Sequence, residues 1–115
     1  MAEDCIFCKI ANKEIPSNFV YEDDQVVAFN DLSPVAPVHV LIVPKEHKLN
    51  LSEYGEADEQ LLGHILTVAA HIARELGLEE SGYRVITNAG SDAGQSVMHT
   101  HFHLLGGRKL NFNKQ

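Results

Sequence analysis

The sequence predicts an α+β domain: a mainly antiparallel five-stranded sheet, one long helix and a short N-terminal helix. Three observations predict it. The chain has 115 residues, which at roughly 100–200 residues per domain is one domain over 1–115. Its apolar pattern alternates in short runs, shifts once to a period of about 3.6, then returns to short runs. Strands grouped on both sides of a single helix argue against the alternating βαβ units of a parallel sheet.

Taken in order, residues 5–12 mix apolar and polar positions and read as a short helical turn. It stops by Ile15-Pro16, because a proline pushes the residue before it out of helical geometry. Phe19 to Glu22 and Val26 to Phe29 read as strands of a hairpin joined by the acidic turn Asp23-Asp24. Asp31 to Pro37 is a proline-marked loop. His39 to Val43 is a β-branched run ending at Pro44, as a buried strand would. From Glu56 to Leu76, Leu61, Ile65, Val68, Ala69, Ile72 and Leu76 form one apolar stripe. His64 and His71 lie towards the polar side and are assigned to solvent, and the helix ends near Gly77. Tyr83 to Thr87 and Met98 to Leu105 complete the strands, with a glycine-containing loop, 88–96, between them.

Composition bounds the function. Apolar residues make up 44% and charged residues 22%, ordinary globular values, so the core needs no disulfide staples. Nine Lys and Arg against sixteen Asp and Glu leave a formal charge of −7, which excludes the basic surface that nucleic-acid binding needs. The acidic start Met1-Ala2-Glu3-Asp4 has no apolar segment behind it, and no run is long enough to span a membrane. A cytoplasmic protein with reduced thiols is expected. The sequon Asn50-Leu51-Ser52 then carries no information.

Seven His and two Cys stand out in so short a chain. His39 heads an apolar strand, where a hydrogen-bonded core His is as natural as a catalytic one, and His47 alone means nothing. His99-Thr100-His101-Phe102-His103 differs, because a strand period of two sets all three rings on one face, with Cα atoms roughly 6–7 Å apart. Such a row suits either a tri-His metal site or an imidazole nucleophile with supporting groups. The preceding loop favours the second: Gly90 and Gly94 allow close backbone approach, and Gln95 and Ser96 add side-chain donors, so the expected guest is a phosphate ester. No Gly-Lys-Ser/Thr follows, so this is not a P-loop. Cys5 and Cys8 have the spacing at which two thiolates share a tetrahedral ion, while the absence of a βαβ pattern weakens a redox reading.

The run His99 to Leu105 followed by Gly106-Gly107-Arg108 resembles the signature of the histidine triad (HIT) family. Cys5 to Ile10, Phe29-Asn30-Asp31, Pro37 to Lys45 and Asn88 to Ser96 look like further family blocks in order. The loop and the Leu-Gly-Gly-Arg tail are similar to the Hint branch, which hydrolyses purine nucleoside phosphoramidates. The runner-up is a dinucleoside polyphosphate hydrolase, as in the Fhit branch. From another class, the alternative is a zinc-stabilised nucleotide-binding regulatory module.

The resemblance implies a HIT-like fold in which His101 attacks the α-phosphorus and forms a nucleotidyl-histidine. His103 would donate to phosphate oxygens, and Ser96 and the Gln95 region to the phosphate or leaving amine. The loop N–H groups near Gly94 would stabilise charge. Asp31 with Leu32 would hold the ribose. Phe7, Ile10, Phe29 and Leu41 would line the purine slot, and Asn88 would reach the phosphate end. His39 would orient the triad. It also implies that His47 and His99 join Cys5 and Cys8 around one structural zinc, and that the protein is a homodimer. The tail from Lys109 to Gln115 does not resemble the Trp-Pro-Pro-Gly ending of eukaryotic Hint members, and Asn30 stands where that branch commonly has His. Leaving-group and base preference are therefore not carried over.

Overall fold

Strand alternation sorts the apolar residues onto two faces of one sheet, and each face has its own helix. The structure, a computed structural model, describes residues 5–111; 112–115, part of the divergent tail, lie outside the described residues. Its order is α1 (Ile6–Ala11), β1 (Phe19–Glu22), β2 (Val26–Asn30), β3 (Val38–Pro44), α2 (Glu59–Glu75), β4 (Tyr83–Ile86) and β5 (Phe102–Gly106). The five strands lie in the order β1-β2-β3-β5-β4, each pair antiparallel. This is the α+β architecture expected.

Val26, Ala28, Val40, Ile42, Phe102 and Leu104 point to one face and pack under Ile65, Val68, Ala69, Ile72 and Ala73 of α2. Val27, Phe29, Leu41 and Val43 point to the other, where Phe7 and Ala11 of α1 cover them. Because both faces are covered, the middle strand β3 reads as an unbroken apolar run from Val40 to Pro44. Ile42, Ile65, Ile72 and Leu104 are wholly buried, each stabilising the fold by roughly 1.5–3 kcal/mol.

Three expectations need correction. β5 begins at Phe102 and not at Met98. Upstream, Thr100 N–H donates to Lys48 O at 2.8 Å and Thr87 Oγ1 donates to His101 O at 2.8 Å, so these backbone groups are taken outside the ladder. Leu76 is the C-cap of α2 and is 43% exposed, outside the buried stripe. His64 is not given over to solvent: its Nε2 lies 2.6 Å from Asp23 Oδ2 and ties α2 to the β1–β2 turn. His71 is exposed, with its ring against Tyr21.

Candidate active site

The face of the sheet under α1 brings the candidate site residues together. His39 and Leu41 of β3 sit on it, and the pairing of Leu41 with His103 brings the β5 imidazole to the same side. A cavity of about 650 Å³ opens there. Phe7, Ile10, Phe29 and Leu41 form its apolar wall, Asp31 and Leu32 its rim, and Ser96, His101 and His103 its polar end. Leu32 is 98% exposed at that rim. Ile15, Pro16, Ser17 and Asn18 also line it; the sequence marked Ile15-Pro16 only as a helix stop, and a loop wall has no periodic signal. Asn88 and Gly94 are not among the lining residues.

Hydrogen bonds to groups of fixed character set the proton on each ring. His101 Nδ1 lies 2.7 Å from His99 O; a carbonyl only accepts, so Nδ1 carries the hydrogen and Nε2 keeps the lone pair. Val35 N–H donates to His39 Nδ1 at 3.2 Å, so His39 bears its hydrogen on Nε2. That group donates to His103 Nδ1 at 2.9 Å, with Asp31 Oδ2 at 3.4 Å from the same nitrogen. His103 therefore presents Nε2–H as a donor. Burial first, then the neighbouring His101 and His39, push His103 down to about 4, so it is neutral at pH 7. Burial likewise lowers His39, against the opposing pull of Asp31. The Phe7 ring meets His101 edge to face at 5.0 Å, and His101 and His103 lie 5.1 Å apart. The site thus combines a basic imidazole nitrogen with a neutral donor beside it, which suits attack on phosphorus with support for its oxygens.

The loop before the triad is braced internally. Gly90 and Gly94 take φ of +93° and +83°, a region that side chains rarely adopt. Gln95 is buried, and its amide is fully engaged. Nε2 donates to Leu49 O at 2.6 Å and Val97 O at 2.9 Å. Oε1 accepts from Gly90 N–H at 2.9 Å and Asn50 Nδ2 at 3.0 Å. This corrects the expectation of a Gln95 side-chain donor to phosphate, because both its polar atoms already have protein partners. Asn50, uninformative in the sequence, is part of the brace. Ser96, by contrast, is exposed on the cavity wall.

His99 turns away from the other two triad rings, so the expected single row does not form. Its Nε2 donates to Pro44 O at 2.8 Å, leaving a lone pair on Nδ1. That Nδ1 lies 3.2 Å from Cys5 Sγ, 3.5 Å from Cys8 Sγ and 3.1 Å from His47 Nδ1, and His47 Nδ1 is 3.3 Å from Cys8 Sγ. All four ligand atoms lie within 4.8 Å of one another. Burial, and then the neighbouring Cys5, push Cys8 up to about 11, so its thiolate form needs a cation beside it. Two sulfurs and two imidazole nitrogens gathered this closely fit a metal ion, and the Pro44 carbonyl accepts the outer hydrogen bond that orients His99.

Comparison with known proteins shows the family. The HIT domain model matches residues 12–110. The purine nucleoside phosphoramidase of Escherichia coli K12 is 51% identical over 110 residues, 96% of this chain and 92% of its own. A HIT family hydrolase from Legionella pneumophila superposes with a TM-score of 0.93 at 46% identity, covering 95% of this chain and 97% of that one. A histidine triad protein from Clostridium difficile does so at 0.92 and 54% identity, over 96% of each. With the family model spanning most of its length and the imidazole cluster at the cavity end, this chain belongs to the HIT domain family.

Proposed function

We propose that this chain, as one domain over 1–115, hydrolyses purine nucleoside phosphoramidates and related AMP or GMP esters through a nucleotidyl-histidine intermediate on His101. The observation that carries the reading is the His101 tautomer: Nδ1–H donates to the His99 carbonyl, which leaves Nε2 with a lone pair. The purine lies along Phe7, Ile10, Phe29 and Leu41, the ribose meets Asp31 at the rim, and the phosphate rests against His103 Nε2–H and the Ser96 hydroxyl. The bond from His101 Nε2 to phosphorus forms as the P–N or P–O bond breaks. The departing atom takes a proton from water through the Ser96 hydroxyl. Water then attacks phosphorus, the P–Nε2 bond breaks, and the imidazole returns neutral with release of the nucleoside monophosphate. His39 acts through His103 by holding its hydrogen on Nε2.

Cys5, Cys8, His47 and His99 are read as holding one structural zinc, which staples α1 to the segment bearing the nucleophile. A homodimer is part of the reading: the edge strand β4 and α2 expose Tyr83 and Leu66, 40% and 53% accessible, as a second copy would cover. The reaction itself is tested with His101→Ala. Turnover of an AMP amide is expected to fall by about three orders of magnitude or more, while AMP binding persists because the apolar wall and loop are intact. A labelled nucleotidyl-enzyme is expected to form and decay in the wild type. Turnover retained in the variant would falsify the nucleophile assignment.

A further inference from the structure

We propose that Thr87 and Thr100 are positioning residues for His101, each using its hydroxyl to fix the backbone that carries the ring; this rests on the nucleophile reading above. Neither lines the cavity. The sheet stops just short of the segment they hold. At this end of β5 the last paired residues are Phe102, opposite Ile42, and His103, opposite Ile86. Residues 99–101 lie beyond both ladders, so the proposed nucleophile rides on backbone that strand pairing does not fix.

Two peptide groups beside His101 are held instead. The group joining His99 to Thr100 has its N–H on one edge and its carbonyl on the other. Thr100 N–H and Oγ1 both donate to Lys48 O, at 2.8 and 3.1 Å, and the lone pairs of one carbonyl oxygen serve both bonds. Since the peptide is planar, anchoring its N–H aims its carbonyl the opposite way, at His101 Nδ1 2.7 Å away. That carbonyl keeps the hydrogen on Nδ1 and the lone pair on Nε2. The group joining His101 to Phe102 is held by Thr87, whose Oγ1 donates to His101 O at 2.8 Å. Lys48 is itself anchored: its Nζ lies 3.2 and 3.3 Å from the two Asp58 carboxylate oxygens and 4.8 Å from the Tyr54 ring centre.

A buried hydroxyl commonly finds a carbonyl simply to satisfy itself. The targets set these two apart, because one bond orients the peptide that fixes the His101 tautomer and the other holds the carbonyl of His101 itself. Shape gives no reason for threonine at either position, since valine has the same branched outline and lacks only the hydroxyl. Thr100 is 1% exposed and Thr87 half-buried, so water does not readily replace either bond. Attack on phosphorus needs the ring nitrogen in a near-attack geometry, where a misplacement of ~1 Å costs on the order of 100-fold in rate.

The experiment compares Thr87→Val and Thr100→Val, which keep the outline and lose the hydroxyl, with Thr87→Ser and Thr100→Ser, which keep the hydroxyl. Single-turnover formation of the nucleotidyl-enzyme from an AMP amide and the Kd for AMP are measured on each. Each Val variant is expected to form the intermediate about tenfold more slowly, with the Kd for AMP within about twofold of wild type because the cavity wall is untouched. Each Ser variant is expected to recover the rate to within about threefold of wild type. A Val variant as fast as wild type, a Ser variant as slow as its Val counterpart, or a loss of AMP binding as large as the loss of rate overturns the positioning role alone. Should Thr100→Val not fold, the Thr87 pair decides by the same comparison. A wild-type protein that forms no nucleotidyl-enzyme overturns the nucleophile reading and the positioning role with it.

Discussion

Fixed backbone groups decide which nitrogen of each site imidazole carries a proton, and these bonds do the orienting work that a buried carboxylate does in other nucleophilic sites. Pro44 O acts on His99, His99 O on His101, and Val35 N–H on His39. Asp23 shows the same logic in a structural role. Its carboxylate accepts from Gln25 N–H at 2.8 Å, Val26 N–H at 2.9 Å and Tyr21 O–H at 2.8 Å, and from His64 at 2.6 Å. Burial pulls its pKa upward, but the Gln25 and Val26 N–H groups, then His64 and Tyr21, outweigh it and hold the group well below the ordinary carboxylate range. A depressed folded pKa contributes stability that is complete above the unfolded value near ~3.9 and is lost as pH falls below it. Asp23→Asn is thus expected to lose about 1–3 kcal/mol near pH 7, with the gap to wild type closing below about pH 4. Urea unfolding of both proteins at pH 7, 5 and 3 measures this, and a gap unchanged at pH 3 contradicts it. Spacing alone made the triad residues legible, but not their tautomers, because the deciding partners include a carbonyl 55 positions away in sequence. His64 was missed for the same reason: its partner lies 41 positions away on another element.

At the scale of elements, α1 is the one whose existence needs explaining. Six residues are far fewer than the ~12–15 at which an isolated helix becomes even marginal. Cys5 caps it by accepting from Cys8 N–H at 3.3 Å, Phe7 and Ala11 are buried against the sheet, and the Cys-His cluster, on the proposed zinc, clamps its first turn. Phe7 also supports His101, so loosening α1 loosens both the cavity wall and the proposed nucleophile. Protein purified without chelator is expected to hold about one zinc per chain. Cys5→Ala is expected to lose that zinc and to melt roughly 5–10 °C lower; a variant with full metal content would remove the clamp. The helices and the hairpin were legible from period alone, since propensity, stripe and caps agree there. The start of β5 was not, because Thr100 and Thr87 draw the backbone upstream of it into loop contacts that a strand-like pattern of residues 98–105 does not reveal.

For the molecule as a whole, the architecture was legible while the means of capturing substrate was not, since composition describes the surface and not the cavity. The formal charge is −7, and among the described residues no Lys or Arg lines the nucleotide cavity. On the proposed function an anionic nucleotide therefore meets long-range repulsion, and its phosphate is held at short range by two neutral donors, His103 and Ser96, because the N–H groups of Gly90, Ala93, Gly94 and Gln95 already have partners within the loop. These forces respond oppositely to salt. Repulsion across the surface fades as the Debye length shrinks from about 10 Å at 0.1 M to about 3 Å at 1 M, whereas hydrogen bonds in a partly buried site are screened much less. Between roughly 0.05 and 0.5 M NaCl, kcat/KM for an AMP amide is accordingly expected to stay level or rise by up to about threefold. An enzyme that gathers phosphate with a basic field would lose rate over the same span. A fall of tenfold here would mean that cations not facing the cavity still steer the substrate, and that local capture by His103 and Ser96 is not sufficient.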